Sequence, residues 1–162
     1  MEIEKKFLVK QIPNDLENYD VYNLEQGYLS SYPTVRIRKC NEDYFITYKR
    51  KGLSKEKDNN VIVNDEIELE LNETSYLHLK EKIDDNLIMK DRYAIPLENG
   101  LIAEMDVFKG NLLGLVMVEV EFKNEEDAIN FVPPSWFGED VSDDYRYRNV
   151  HLSTVVDMSE LS

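Results

Sequence analysis

From Glu2 to Val9 charged and apolar residues alternate with a period of two, the period at which successive side chains of a β-strand point to opposite faces. The same alternation runs through Val35 to Lys39 and Tyr44 to Lys51, and more weakly through Tyr22 to Leu29. It is longest from Val61 to Leu71, where Glu66, Glu68 and Glu70 share one face while Ile67, Leu69 and Leu71 share the other. Leu87 to Ile95, Leu101 to Phe108 and Leu115 to Phe122 bring the set to about eight strands. Asn99-Gly100 lies between two of these runs as a hairpin-turn signal, and Gly110 and Gly114 bracket a second turn. The pattern is that of an antiparallel sheet.

Helices are expected in the gaps. Asn72-Glu73-Thr74-Ser75 opens a helical pattern carrying Leu77 and Leu79-Lys80 that ends near Asp84-Asp85. Asn124 caps Glu125 to Val132, which Pro133-Pro134 stops, and Asn149 to Leu161 supplies a third helix beginning near His151. Gly52 to Asn60, rich in lysine, aspartate and asparagine, reads as a mobile rim loop. The predicted class is an all-β core with packed helices (α+β). With 162 residues, no repeats and no linker, the expected organisation is one domain over 1–162.

Composition narrows the function. Hydrophobic residues make up 42% of the chain and there are ten tyrosines, enough for a packed core despite the charge. The 33 acidic against 19 basic side chains leave a formal charge of −14, which opposes attraction to nucleic acid or to an anionic membrane. A local basic site can still take an anion, particularly with a divalent cation bridging it to carboxylates. No segment approaches the roughly 20 apolar residues of a membrane span, and the N-terminus lacks a signal-type apolar run, so a cytoplasmic protein is expected. Cys40 is the only cysteine and reads as an inert thiol; His78 and His151 lack a metal motif and read as surface or packing residues.

Charged residues recur on alternate positions of several predicted strands. Glu2, Glu4 and Lys6 share one face, as do Arg36 and Arg38; Lys49 follows on the next strand, and Lys90 with Arg92 forms another basic pair. Arginine suits bidentate contact with phosphate oxygens and lysine supplies a compact charge. Glu66 with Glu68, Glu104 with Asp106, and Glu119 with Glu121 form acidic pairs of the oxygen-ligand type that magnesium and manganese favour. An ordinary sheet also keeps one charged face toward solvent. Recurrence over nearly every strand favours a shared interior: closure into a barrel would turn the stripes into a hydrated cavity, with helices over the apolar exterior. Alternation by itself leaves open which face turns inward.

In their order along the chain these residues resemble the triphosphate tunnel metalloenzymes, the CYTH superfamily. Glu2-x-Glu4-x-Lys6 matches the family's E-x-E-x-K signature. Gln26-Gly27-Tyr28-Leu29, Val35-Arg36-Ile37-Arg38, Lys49, Glu66 with Glu68, Lys90-x-Arg92-Tyr93, Glu104-x-Asp106 and Glu119-x-Glu121 follow in the family's order. Trp136-Phe137-Gly138 and Asp144-x-Arg146-Tyr147-x-Asn149 extend the resemblance to nearly the full chain, which looks most like the small bacterial tripolyphosphatases. One departure is Asn64, where an arginine often stands in the family; Lys51, Lys55 or Lys57 could compensate.

The resemblance implies a closed eight-stranded antiparallel β-barrel, a triphosphate tunnel, that hydrolyses tripolyphosphate to pyrophosphate and phosphate with one or two Mg2+ or Mn2+ ions. Lys6, Arg36, Arg38, Lys49, Lys90, Arg92 and Arg146 would bind the small-molecule triphosphate. Glu2, Glu4, Glu119 and Glu121 would bind metal, with Glu104 and Asp106 joining that set. Glu66 and Glu68 would serve a second ion or orient water, and Tyr28 with Lys90 would support the chemistry. For Arg146 the alternative is a surface ion pair, and for Tyr28 and Trp136 it is aromatic packing. Rival readings are a class IV adenylyl cyclase, a thiamine triphosphatase and a noncatalytic polyphosphate-binding protein. An apolar exterior patch leaves room for a homodimer.

Overall fold

In the computed structural model, which describes residues 1–51 and 61–161, the alternating segments become β1 (Glu2–Val9), β2 (Asp20–Ser30), β3 (Thr34–Cys40), β4 (Asp43–Lys51), β5 (Ile62–Leu71), β6 (Asp84–Pro96), β7 (Ile102–Phe108) and β8 (Val116–Glu121). All pairings are antiparallel, and the sheet runs β5-β4-β3-β2-β6-β7-β8-β1 before β5 meets β1 again through Glu2↔Asn64 and Glu4↔Ile62. These eight strands therefore close into a barrel. Closure leaves them no free edge except where β5 diverges from β1. That remaining edge, at Phe7 and Val9, is taken by a ninth strand, β9 (Phe137–Asp140). Periodicity gave no sign of β9, which is only four residues long and is fixed by pairing rather than by pattern.

The helices are shorter than the sequence suggested. The first, α1, covers Glu73–Lys80, with Asn72 Oδ1 accepting from the Ser75 amide at 2.7 Å. It stops before Asp84-Asp85 because those residues already belong to β6. The second, α2, covers Glu125–Ile129 and is capped by Asn124, whose Oδ1 accepts from the Asp127 amide at 2.7 Å. The expected third helix is reduced to α3 (Asn149–Leu152) and a separate 3-10 turn at Met158–Leu161. There the Ser153 and Thr154 hydroxyls donate back to the Val150 and His151 carbonyls, a local alternative to helix continuation. At the hairpin, Asn99 and Gly100 adopt φ values of 64° and 76°, the left-handed geometry that a tight turn demands.

Two apolar clusters fix the barrel. Outside, Ile3, Phe7, Ala103, Met105, Val118 and Val120 from β1, β7 and β8 are buried under Ala128 of α2 and under Phe131, Trp136 and Phe137. The Phe7 and Phe137 rings lie 5.1 Å apart and those of Phe122 and Phe131 5.2 Å apart. Trp136 is thus a packing residue, edge-on to Phe137 at 4.6 Å. On the other side, Tyr76 of α1 packs 4.9 Å from Tyr44 and donates its hydroxyl to Glu25 at 2.8 Å. The second cluster fills one end of the barrel: Tyr28, Ile88, Phe108 and Met117 meet Tyr147, Leu152, Val155 and Leu161 of the C-terminal segment. No helix among the described residues is long and apolar enough to cross a membrane.

Gly27 sits on the outward face of β2 between the inward-facing Gln26 and Tyr28, and a Cβ there would lie 2.8 Å from Ile83 Cγ2. Gly27→Ala should destabilise the fold by about 1–3 kcal/mol through overpacking. Chemical denaturation checks this. The double variant Gly27→Ala/Ile83→Val should lose less than the sum of its parts, because the smaller side chain relieves the same contact.

Candidate active site

Because strand faces alternate, closing the sheet turns one parity of every strand inward. On β2 the inward series runs Tyr22, Leu24, Gln26, Tyr28. Tyr22 and Leu24 line an apolar mouth with Cys40, Ala94, Ile102 and Phe122. Gln26 lines a charged chamber of about 450 Å³, and Tyr28 belongs to the plug beyond it. Other strands follow the same order: Ala94, Arg92, Lys90 and Ile88 on β6, and Glu121, Glu119 and Met117 on β8.

The chamber brings together Glu2 and Glu4 from β1, Arg36 and Arg38 from β3, Lys49 from β4 and Glu66 and Glu68 from β5. It also takes Lys90 and Arg92 from β6, Glu104 from β7 and Glu119 and Glu121 from β8. Most of the cations are held by carboxylates. Lys90 Nζ is 2.7 Å from Asp106, whose two oxygens accept from Arg92 Nε and Nη2 at 2.7 and 2.9 Å. Arg92 also reaches Glu104 at 3.1 Å. Lys49 lies 2.9 Å from Glu2 and 3.8 Å from Glu66, and Arg38 lies 3.5 Å from Glu68. Arg36 differs: it is buried, forms no ion pair within 4.0 Å among the described residues, and leaves its Nε without a partner. Its guanidinium is hydrogen-bonded to Tyr28, and the remaining N–H capacity suits an oxyanion acceptor.

Some expected site residues lie behind the chamber wall. Asp106 is buried with both oxygens committed, so it clamps Lys90 and Arg92. Lys6 is buried too; its Nζ donates to the Tyr147 carbonyl at 3.0 Å and lies 3.7 Å from Glu119. Tyr28 sits in the plug against Arg36, and burial pushes its hydroxyl up from the usual range, so it remains a proton-bearing donor. Arg146 does not reach the chamber. It forks onto Asp144 at 2.7 Å and donates to the Leu161 carbonyl at 3.2 Å, the surface-pair alternative. Instead, the C-terminal segment sends in Asn149, which lines the chamber with a buried, unpartnered Oδ1. Asn64 pairs across strands with Lys51 and Glu2, while Lys55, Lys57 and the Gly52 to Asn60 loop lie outside the described residues.

The sequence reading passed over Gln26 and Asn149 as site residues. Gln26 had one usable signal, its inward parity with Leu24 and Tyr28, where an amide stands between two apolar neighbours. Asn149 had no periodic signal, because a short helix carries no period to follow, and stood out only as the end of the Asp144-x-Arg146-Tyr147-x-Asn149 resemblance.

Electrostatics divides the carboxylates. Burial alone would raise Glu119, but Lys6, then Arg92 and Lys90, hold it well below the carboxylate range. Burial pulls Lys90 down to about 8 against the opposing pull of Asp106. Glu4 is pushed up to about 8 by burial and then by the charges of Glu119 and Glu2. Glu121, opposite Glu4 across β1 and β8, is raised by burial and by Glu2 and Glu104. Neither Glu4 nor Glu121 enters an ion pair within 4.0 Å among the described residues. Oxygen donors that repel one another and have no cation within ion-pair distance fit a hard divalent cation. They do not form a ready-made cage, since no three metal-ligating side chains converge among the described residues.

A closed barrel with cations and carboxylates facing one chamber defines a polyanion-binding tunnel protein. No family model matches the chain. It is 40% identical over 157 residues to the inorganic triphosphatase of Nitrosomonas europaea, covering 94% of this chain and 96% of that protein. It is 33% identical over 156 residues to the inorganic triphosphatase of Acetivibrio thermocellus, covering 93% and 92%. A crystal structure of an inorganic triphosphatase superposes with a TM-score of 0.70 at 34% identity, covering 97% of each chain. The fold alone is shared with a Pyrococcus horikoshii protein at 20% identity, TM-score 0.55, covering 78% of this chain and 82% of that one. The chain belongs to the inorganic triphosphatases of the triphosphate tunnel (CYTH) superfamily.

Glu4 generates a pH prediction. Its folded-state value of about 8 lies above the ordinary 4.5, so the fold favours its protonated form. That contribution is complete below about 4.5 and is lost as pH rises through about 8. In chelator, the melting temperature should therefore fall over that window, and Glu4→Gln, which is neutral throughout, should flatten the decline.

Proposed function

We propose that the protein hydrolyses inorganic tripolyphosphate to pyrophosphate and phosphate inside the barrel. The observation that carries this reading is the convergence of Arg36, Arg38, Lys49, Lys90 and Arg92 on one chamber, in a chain that belongs to the inorganic triphosphatases. Arg36, held by a hydrogen bond to Tyr28, offers its unpartnered Nε to phosphate oxygens, and Arg38 and Lys49 face the chamber beside it. The Asp106 clamp fixes Lys90 and Arg92 in advance, so little reorganisation is needed when charge builds on the reacting phosphate. Water attacks a terminal phosphorus, the P–O–P bridge breaks, and pyrophosphate leaves with the bridging oxygen.

Glu2, Glu4, Glu119 and Glu121 would hold one or two Mg2+ or Mn2+ ions. Such an ion supplies neutralisation of the phosphoryl oxygens and orientation of water. Glu66 and Glu68, on β5 beside β1, would accept a proton from the attacking water directly or through a second water.

Purified protein with magnesium or manganese should release phosphate from tripolyphosphate in preference to ATP, thiamine triphosphate and pyrophosphate. Glu4→Gln and Arg36→Ala should each lower kcat/KM on the order of 100-fold. Arg146→Ala, outside the chamber, should stay within about threefold of wild type, in line with the small worth of exposed pairs. Cyclic AMP formation from ATP, or binding without turnover, would replace this reading.

A further inference from the structure

Gln26 is 1% exposed, lines the charged chamber, and has no hydrogen-bond partner for its Nε2 among the described residues. It is the last inward position of β2 before Tyr28 and the plug, as Lys90 is before Ile88 on β6. A buried amide donor left unpaired costs free energy, and an apolar side chain of the same length would avoid that cost. On the neighbouring strand Arg38 pairs across from Gln26 and Arg36 across from Tyr28, and the Nε of each is likewise unpartnered. Two adjacent strands thus present unsatisfied N–H donors to one enclosed space, and the ligand that completes both is an oxyanion.

We propose that Gln26 is a substrate-binding residue that donates from Nε2 to a nonbridging oxygen of the innermost phosphate. This inference rests on the tripolyphosphate reading and adds to it. Beyond Gln26 the interior is filled by Tyr28, Phe108 and Met117, so the phosphate it meets is the end of a chain. A terminal phosphate carries one more nonbridging oxygen than an internal one, and donors on two strands can engage it from different directions. An amide has a further advantage over another cation here. It adds a donor without drawing a carboxylate away from its existing partner.

The test compares wild type with Gln26→Met, which keeps length and removes the donor, and with Gln26→Glu, which keeps shape and reverses the polarity. In steady-state hydrolysis of tripolyphosphate with magnesium, Gln26→Met should raise KM about tenfold or more, with kcat within about threefold, and Gln26→Glu should raise KM further. The melting temperature of ligand-free Gln26→Met should equal or exceed wild type, whereas a merely structural amide would lower it. Thermal shift by added tripolyphosphate is measured on the same proteins. It reads binding whether or not turnover occurs, and should shrink in both variants. A KM and a thermal shift within twofold of wild type in Gln26→Met would overturn the role of Gln26; if that variant does not fold, the same values in Gln26→Glu would do so. Wild type that binds but does not hydrolyse tripolyphosphate would overturn the activity reading alone.

Discussion

Asp106 between Lys90 and Arg92 is the interaction on which the interior depends. Two cations from alternate positions of β6 both face inward, and neither could be buried alone without a large desolvation cost. One carboxylate from the neighbouring strand satisfies both, with Arg92 gripping its two oxygens and Lys90 adding a third contact. The pair keeps a net positive charge facing the chamber. It also fixes where that charge stands, which a solvent-exposed lysine could not do.

The rest of the fold makes such an interior tolerable. An ordinary small barrel fills its inside with apolar side chains and turns charge outward. Here the hydrophobic stabilisation comes from two other places, the covered outer face of β1, β7 and β8 and the plug at one end. The short return from α2 to β9 therefore does more than connect. It supplies Phe131, Trp136 and Phe137 to the outer core and closes the edge of β1 that β5 leaves free. Gly138 permits that pairing, since a Cβ there would stand 3.1 Å from the Leu8 carbonyl oxygen.

Most of this architecture could be read from the chain because strand alternation is a strong local signal. Glu2, Glu4 and Lys6, or Lys90 and Arg92, occupy the same face in any strand that contains them. Which face turned inward was not local information; it is decided by closure between β1 and β5, which are far apart in sequence. The same limit explains the misreadings. Pattern alone gave no β9 and carried the third helix on to Leu161 where α3 ends at Leu152, because pairing and packing with distant residues set both. Arg146 looked equivalent to the inward arginines, yet it lies in a 3-10 turn with Asp144 two residues away, and a local partner captured it. Gln26 stood in the Gln26-Gly27-Tyr28-Leu29 resemblance and shared the parity of Leu24 and Tyr28, but an uncharged residue does not stand out among stripes of charge.

A chain of net charge −14 that takes a polyanion needs its attraction to be local, and the ion pairs show how that is arranged. Lys49 with Glu2 and Lys6 with Glu119 are each other's counter-ions. A phosphate chain that draws on Lys49 leaves Glu2 short of positive charge, beside a Glu4 that already favours its proton. A divalent cation would restore the balance and would itself be attracted by the same phosphates. On the proposed reading the two ligands would lower each other's cost of entry, and thermodynamic linkage would make that help mutual. Either ligand alone would have to break these ion pairs without replacing the lost charge, so the metal-bound polyanion would be favoured over each component separately.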